Sequence, residues 1–335
     1  MTVTGSKLNK ASSIRALRVP SLSGLALGVL SALALFLIFK YPDVAIDRMT
    51  SALELCAKTV VPSLFPFMVL SELLVSGNAI AAISPLLRRP ARALFGISGE
   101  GAAAVVLGLF CGFPIGAKSA VSLYKQGRID RSELTRLLTF SNNPSSAFLI
   151  SAVGASMFKS RPLGVLLFTV STLSALTVGI AGKYAKRKSS DRSSELYVKL
   201  KVESKSGVDK FTGAITSSAL SIIYVCAFVV FFSTLVGVLE HTLSASSLPH
   251  STAALLFGFF ELTGGMWKAS QIPKYGIYLA AAISGWSGLS VHFQIMSICS
   301  GCGISFKPYI LSKLAAGLLN VIFLLILSAA IGLPV

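Results

Sequence analysis

Crossing the hydrocarbon core of a bilayer takes about 20 mostly apolar residues in one helix, and this 335-residue chain repeats that pattern along its length. Windows 22–39, 162–182, 214–239, 275–299 and 309–333 qualify cleanly. Two more are long enough but interrupted: 53–75 contains Pro62 and Pro66, and 134–158 contains Asn142, Asn143 and Pro144. Counted as spans with local breaks, they bring the expectation to an all-α polytopic membrane protein with about seven transmembrane helices. Composition agrees, since 53% of residues are hydrophobic and 13% charged, about half the charge of a soluble domain. A cytosolic enzyme is excluded on that ground. A net charge of +17 would raise nucleic-acid binding in a soluble chain, but here the cations sit between apolar runs, as the positive-inside rule expects. No nucleic-acid partner is expected; membrane lipid is.

Two further stretches, 93–124 and 251–269, are apolar but cut in the middle, by Gly112-Phe-Pro-Ile-Gly116 and by Glu261-Leu-Thr-Gly-Gly265. Such breaks suit re-entrant helical hairpins with two short arms meeting at mid-depth. Unpaired backbone is tolerated there where protein buries it or it lines a wet cavity. An ordinary kinked span is the alternative for each.

Charge traces the chain across the membrane. Lys7, Lys10, Arg15 and Arg18 precede the first run with no acid among them, which puts the amino terminus in the cytoplasm and makes the first run a retained helix. Arg88, Arg89 and Arg92, then Lys125, Arg128, Arg131 and Arg136, return to that side, so the first hairpin enters from inside. The stretch 183–210 holds nine Lys or Arg against four Asp or Glu and reads as a solvated cytoplasmic linker. Loop 240–250 has neither Lys nor Arg, as an external loop should, and the second hairpin then enters from outside. Lys159 and Arg161 are exceptions. The resulting division is a basic tail (1–21), a first helix and loop (22–49), a first gate-like repeat (50–182), a basic linker (183–213) and a second gate-like repeat (214–335).

The halves correspond weakly in sequence and better in order. At an offset of 150 residues Gly108, Phe110 and Lys118 meet Gly258, Phe260 and Lys268, while Pro114 meets Gly264. Each half reads helix, hairpin, helix with a polar break, helix. The polar breaks are Asn142-Asn143-Pro144-Ser145 and Ser284-Gly285-Trp286-Ser287. Inverted repeats with discontinuous helices and a midplane site are the architecture of secondary transporters. A helix broken in mid-membrane offers free N–H groups at one new end and free carbonyls at the other, each with a partial charge. Such groups can hold a polar or anionic solute. The residues placed at the tips are Gly112, Phe113, Pro114, Gly116 and Lys118 on one side and Glu261, Thr263 and Gly264 on the other. Asn142, Asn143, Ser145, Ser284 and Ser287 supply neutral donors and acceptors beside them.

Glu72 and Glu261 stand inside apolar segments, where an ionisable side chain costs roughly 3 kcal/mol. Both are candidates for an ion or proton site, and Glu72 is alternatively a carboxylate near a helix end. Lys118 either reaches solute or snorkels to the cytoplasmic interface. His292 reads as a buried hydrogen-bonding residue, and Phe110, Phe113, Phe259 and Phe260 as packing. Cys299-Ser-Gly-Cys302 has a redox or metal spacing, but no second Cys or His pair accompanies it; no metal site and no cofactor is expected. A Walker loop, His-Glu-x-x-His and Gly-x-Ser-x-Gly are all missing from the sequence, and the expectation is a protein that is not an enzyme. The two functions left are transport of a small solute and a scaffold that recruits proteins through the basic linker. Polarity buried at mid-depth separates them, because a scaffold has no reason to keep it.

At Pro62-Ser-Leu-Phe-Pro-Phe67, Gly112-Phe-Pro-Ile-Gly-Ala-Lys118, Gly127-Arg-Ile-Asp-Arg-Ser-Glu133 and Phe140-Ser-Asn-Asn-Pro144 the chain resembles the YlbJ-type sporulation integral membrane proteins. The resemblance runs from about residue 22 to the end and is more specific in the first half. That family in turn resembles the nucleoside-recognition gate group, which includes concentrative nucleoside transporters and the membrane part of ferrous iron transport protein B. The resemblance implies an endospore-forming bacterium, a mother-cell or forespore membrane, and movement of a small metabolite, dipicolinate or a related anion among the solutes. It leaves room for nucleosides, for a homo-oligomer and for a spore-assembly partner.

Overall fold

The computed structural model describes residues 22–76, 79–185, 206–243 and 249–331. The basic tail (1–21), residues 186–205 of the basic linker and residues 244–248 of the expected external loop lie outside them. Among the described residues the fold is all-helical, with fourteen α-helices and two π-helical segments.

The chain opens with α1 (Leu22–Lys40) and α2 (Pro42–Leu55), bent by about 100° at Tyr41, where Pro42 restarts the helix with its φ already set. A π-helical turn, Cys56–Val60, leads into α3 (Val61–Ser76). The prolines of window 53–75 therefore do not break it. Pro62 has no N–H and its ring would meet the carbonyl four residues back. The wider turn just upstream, in which the Val61 N–H donates to the Cys56 carbonyl, takes up that clash. After α4 (Ala79–Leu94) the chain turns at Gly96 (φ +64°) and Ser98 caps the next helix, its hydroxyl accepting from the Gly101 N–H at 2.9 Å.

From there the two halves run in parallel series. In the first, α5 (Gly99–Cys111) and α6 (Phe113–Lys125) form a hairpin; α7 (Arg131–Phe140) is followed by an extended stretch and a π-helical segment, Phe148–Met157; and α8 (Arg161–Ala185) closes the series. In the second, α9 (Gly207–Thr242) precedes the hairpin of α10 (His250–Phe260) and α11 (Leu262–Ser270), then the broken pair α12 (Gly276–Trp286) and α13 (Leu289–Ile298), then α14 (Lys307–Ile331). Neighbours match term by term. Hairpin arms pack on each other in both series, α6 on α7 as α11 on α12, and α7 on α8 as α12 on α14. Across the series, α6 packs on α13 and α11 on Phe148–Met157, while α7 meets α14 and α12 meets α8.

Among the described residues three helices are long and apolar enough to cross a membrane, within α8 (Arg161–Tyr184), α9 and α14 (Lys307–Ala330), and counting the bent pairs α1 with α2 and α4 with α5 as single spans gives five. Three of the expected seven windows are not among these five and fold as shorter pieces, while the α4–α5 pair was not one of the seven; window 53–75 is shared by the end of α2, the π-helical turn and α3. Window 134–158 is divided by the extended stretch after Phe140, and window 275–299 by Ser287 and Gly288, both at positive φ (+81° and +84°). The helix surfaces are apolar outward as well as inward: Phe36, Phe39, Leu311 and Leu318 are all more than half exposed, the pattern of a protein whose solvent is lipid. The core draws on both series, joining Ala117, Leu137 and Phe140 to Met266, Ala280 and Tyr309.

Polar contacts mark the two ends of the bundle. At one end Arg128 pairs with Glu100 at 2.7 Å, Arg136 donates to the carbonyls of Phe95 and Gly96, and Lys183 to that of Ala93. At the other, Glu240 takes both Arg48 (3.4 Å) and Lys268 (2.5 Å), and Tyr41 stands edge-on to His241.

Candidate solute site

Each hairpin tip rests on the break of its own series. Gly112 adopts φ +99° between α5 and α6, and a Cβ there would come within 2.9 Å of the Ser145 Cβ. The arms cross at Gly108 and Gly116, where a Cβ on Gly108 would stand 2.9 Å from the Gly116 Cα. In the second hairpin Gly258 and Gly265 make the same crossing, and Gly288 in the break faces the tip, its Cβ position 3.0 Å from the Leu262 nitrogen. The carbonyl ends of the first arms are served alike: Ser146 donates to the Phe110 carbonyl at 3.1 Å, and the Trp286 indole to that of Phe259 at 3.0 Å.

The breaks are buried and polar. Asn142 and Asn143 donate their amides back to the carbonyls of Leu138 (3.0 Å) and Phe140 (2.8 Å), ending α7. The Ser145 hydroxyl accepts from the Phe148 N–H at 3.1 Å and starts the next segment. In the second break Ser284 donates to the Ala281 carbonyl and Ser287 to that of Ser284. Glu261 caps α11, accepting from the N–H groups of Thr263 at 2.9 Å and Gly264 at 2.6 Å. This carboxylate is thus committed to its own helix, where negative charge is favourable. Pro114 has a structural part too, at the start of α6, where a missing N–H costs nothing.

The sequence reading missed the helix that joins the two breaks. From α14, Lys313 donates to the Asn142 carbonyl and to Asn143 Oδ1 (3.4 Å), and two turns on Asn320 donates to Ser284 Oγ (2.9 Å) and the Ala281 carbonyl (3.1 Å). Lys313 is 1% exposed, and among the described residues no carboxylate lies within ion-pair distance of it. Tyr309, one turn earlier, bonds His292 Nδ1 at 3.0 Å; His292 is edge-on to Trp286, and Trp286 stacks on Phe259. Ser141 Oγ, Asn142 Oδ1, His292 Nε2 and Asn320 Oδ1 are buried without a hydrogen-bond partner in the protein. These four atoms gather near the two helix breaks, and each buried orphan calls for an explanation. The signal was available at Lys313, an ionisable side chain inside window 309–333.

Lys118 and Glu72 are not at the tips. They pair with each other at 3.6 Å, and Lys118 also donates to Ser218 at 3.1 Å. The pair borders a cavity of about 260 Å³ shared with Lys125, Ser217, Ser221 and Gln294. The offset of 150 residues acquires a physical meaning here. Lys118 in α6 takes Glu72 near the end of α3, as Lys268 in α11 takes Glu240 near the end of α9. Each pair ties the second arm of a hairpin to an earlier helix, α3 beyond α4 in the first case and the adjoining α9 in the second. His292 is buried and hydrogen-bonded, and Cys299 and Cys302 are free thiols. No group of three or more metal-ligating side chains occurs among the described residues.

These features define a multi-pass membrane protein of helical hairpins and broken helices. The chain is similar to the sporulation integral membrane protein YlbJ of Bacillus subtilis (strain 168), 28% identical over 323 residues that cover 87% of this chain and 79% of the relative. That similarity supports the YlbJ-type resemblance across both series. No family model matches the chain, and no solved structure does.

Proposed function

We propose that the protein is a secondary transporter or facilitator that moves a small polar or anionic metabolite through a cell membrane during spore formation. One observation carries the reading: two hairpins, each with its tip seated on a buried, polar helix break, and both breaks held by α14. A scaffold has no use for such polarity, whereas transporters place their sites at broken helices of this kind. In this reading the hairpins are re-entrant and the series are inverted repeats, entered from opposite faces, with the amino terminus cytoplasmic. Rocking of one series against the other exposes the tips to each side in turn. The spore context comes from the YlbJ relative, whose name marks that protein as sporulation-related and integral to the membrane. Dipicolinate or a related anion is the first solute to try, in a mother-cell or forespore membrane. A nucleoside is the alternative, through the wider gate group.

The test is solute movement in proteoliposomes of defined orientation, with dipicolinate and a nucleoside panel, comparing the native chain with Glu261→Ala and Asn143→Ala. We expect movement by the native chain and loss in both variants. Normal movement in both variants removes the site. No movement of any solute by folded native protein removes transport and leaves the scaffold.

A further inference from the structure

The two hairpin tips are alike in path and opposite in charge. At the second, the protein supplies its own carboxylate: Glu261 caps α11 through two N–H groups. At the first, the corresponding residue is Gly112, and no side chain caps α6. Among its first amides Pro114 has no N–H, while Ile115 and Gly116 both donate to the Gly112 carbonyl (3.2 and 3.3 Å), which leaves the Phe113 N–H. An uncapped helix end is by itself ordinary. What sets this one apart is the buried cation beside it. The Lys313 ammonium lies 5.9 Å from the centre of the Phe113 ring and holds the Asn142 carbonyl and Asn143 Oδ1. An ammonium has three N–H donors, and the third has no acceptor among the described residues. Asn142 contributes a further orphan, its Oδ1, 3.1 Å from where a Cβ on Gly116 would stand.

A buried charge that lacks a counter-charge is costly, and the cost is relieved by pairing. Every described carboxylate is too far from Lys313 to pair with it. We propose that Lys313 and the open amino end of α6 at Gly112–Phe113 form the subsite for an oxyanion group of the solute, a carboxylate or a phosphate. The inference deepens the transport reading and rests on it for the identity of the occupant as cargo. The bound oxyanion accepts the free N–H of Lys313 and the Phe113 N–H. It caps the first tip as the Glu261 carboxylate caps the second, approaching from the Lys313 side because Ser145 fills the space beside Gly112. Asn142 and Asn143 are positioning residues, holding the ammonium from behind.

Binding is measured on the purified full chain in detergent, by the shift of the thermal midpoint with dipicolinate, inorganic phosphate and, as a neutral probe, uridine. Lys313→Gln, Lys313→Met and Lys313→Arg are compared with the native chain after each is shown to be monodisperse and helical. We expect at least one of the two anions to bind the native chain. Lys313→Gln and Lys313→Met should weaken it about a hundredfold, the loss typical of one buried charged partner, and Lys313→Arg should restore much of it. Which anion responds distinguishes the carboxylate from the phosphate. Binding of neither anion to folded native protein, or equal binding by Lys313→Gln, overturns the inference. Uptake in proteoliposomes separates the two readings. Uridine moved equally by native and Lys313→Gln chains would sink the oxyanion subsite and leave transport standing; Lys313-dependent binding without movement of any solute would do the reverse.

Discussion

If the first hairpin is a true pair of packed arms, its crossing point should not accept a methyl group. Gly108 of α5 faces Gly116 of α6 and the Ser141 carbonyl, and a Cβ on it would lie 2.9 Å from the Gly116 Cα and 3.0 Å from the Ser141 carbonyl carbon. Both neighbours are backbone, so no rotamer change relieves the contact, and the overpacking cost should fall at the upper end of its range of about 1–3 kcal/mol. Against this, alanine in a helix gains about 1 kcal/mol over glycine. Gly108→Ala should therefore lose about 2 kcal/mol, a drop of roughly 3 °C in the thermal midpoint of a chain this long. Gly265→Ala, whose Cβ would stand 2.5 Å from the Gly258 nitrogen, should behave the same way. Gly182 in α8 has nothing within 4 Å of its Cβ position, and Gly182→Ala should keep the propensity gain and melt at or above the native temperature. The assay is thermal unfolding in one detergent, followed by circular dichroism. If Gly108→Ala melts with Gly182→Ala rather than below the native chain, the arms are not in contact and the hairpin is wrong.

Two further outcomes follow from the polar contacts. Glu72→Gln and Lys118→Met, combined in a double-mutant cycle read by the thermal midpoint, should show a coupling of about 0.5–1 kcal/mol, because the two groups pair at 3.6 Å beside a cavity; additive effects would return Lys118 to the candidate solute contacts and Glu72 to the candidate ion or proton sites. Asn320→Leu leaves the buried Ser284 hydroxyl and Ala281 carbonyl without the donor from α14 and should cost about 1–3 kcal/mol, whereas an unchanged midpoint would mean that α14 does not hold the second break.

What could be read from the sequence, and what could not, divides along a physical line. Apolar run length and the Gly-rich interruptions are local signals, and they led to helices, to hairpins at Gly112 and Glu261 and to the polar breaks at Asn142–Asn143 and Ser284–Ser287. Span counting failed where hydropathy is blind to backbone conformation. Nothing in the hydropathy of window 275–299 announces that Ser287 takes a positive φ beside Gly288, and nothing in Pro62 and Pro66 announces a π-helical turn that lets the helix run on. Pairing is non-local in the same sense. Lys118 looked like a tip residue because it is close in sequence to Gly112, yet along a helix six residues are about 9 Å, enough to carry its ammonium to Glu72 instead. Glu261 was singled out by the rule that a charge inside an apolar segment needs a reason, and the reason the structure supplies is a helix cap. The same rule applied to window 309–333 would have singled out Lys313. A lysine close to the start of an apolar run reads as one that snorkels to the interface, and only the packing of α14 against α7 and α12 turns it inward. Because α14 belongs to the second series, movement of the first series against the second must break the Lys313 bonds to Asn142 and Asn143, while the Asn320 bonds to Ala281 and Ser284, two turns along the same face, stay within the second series.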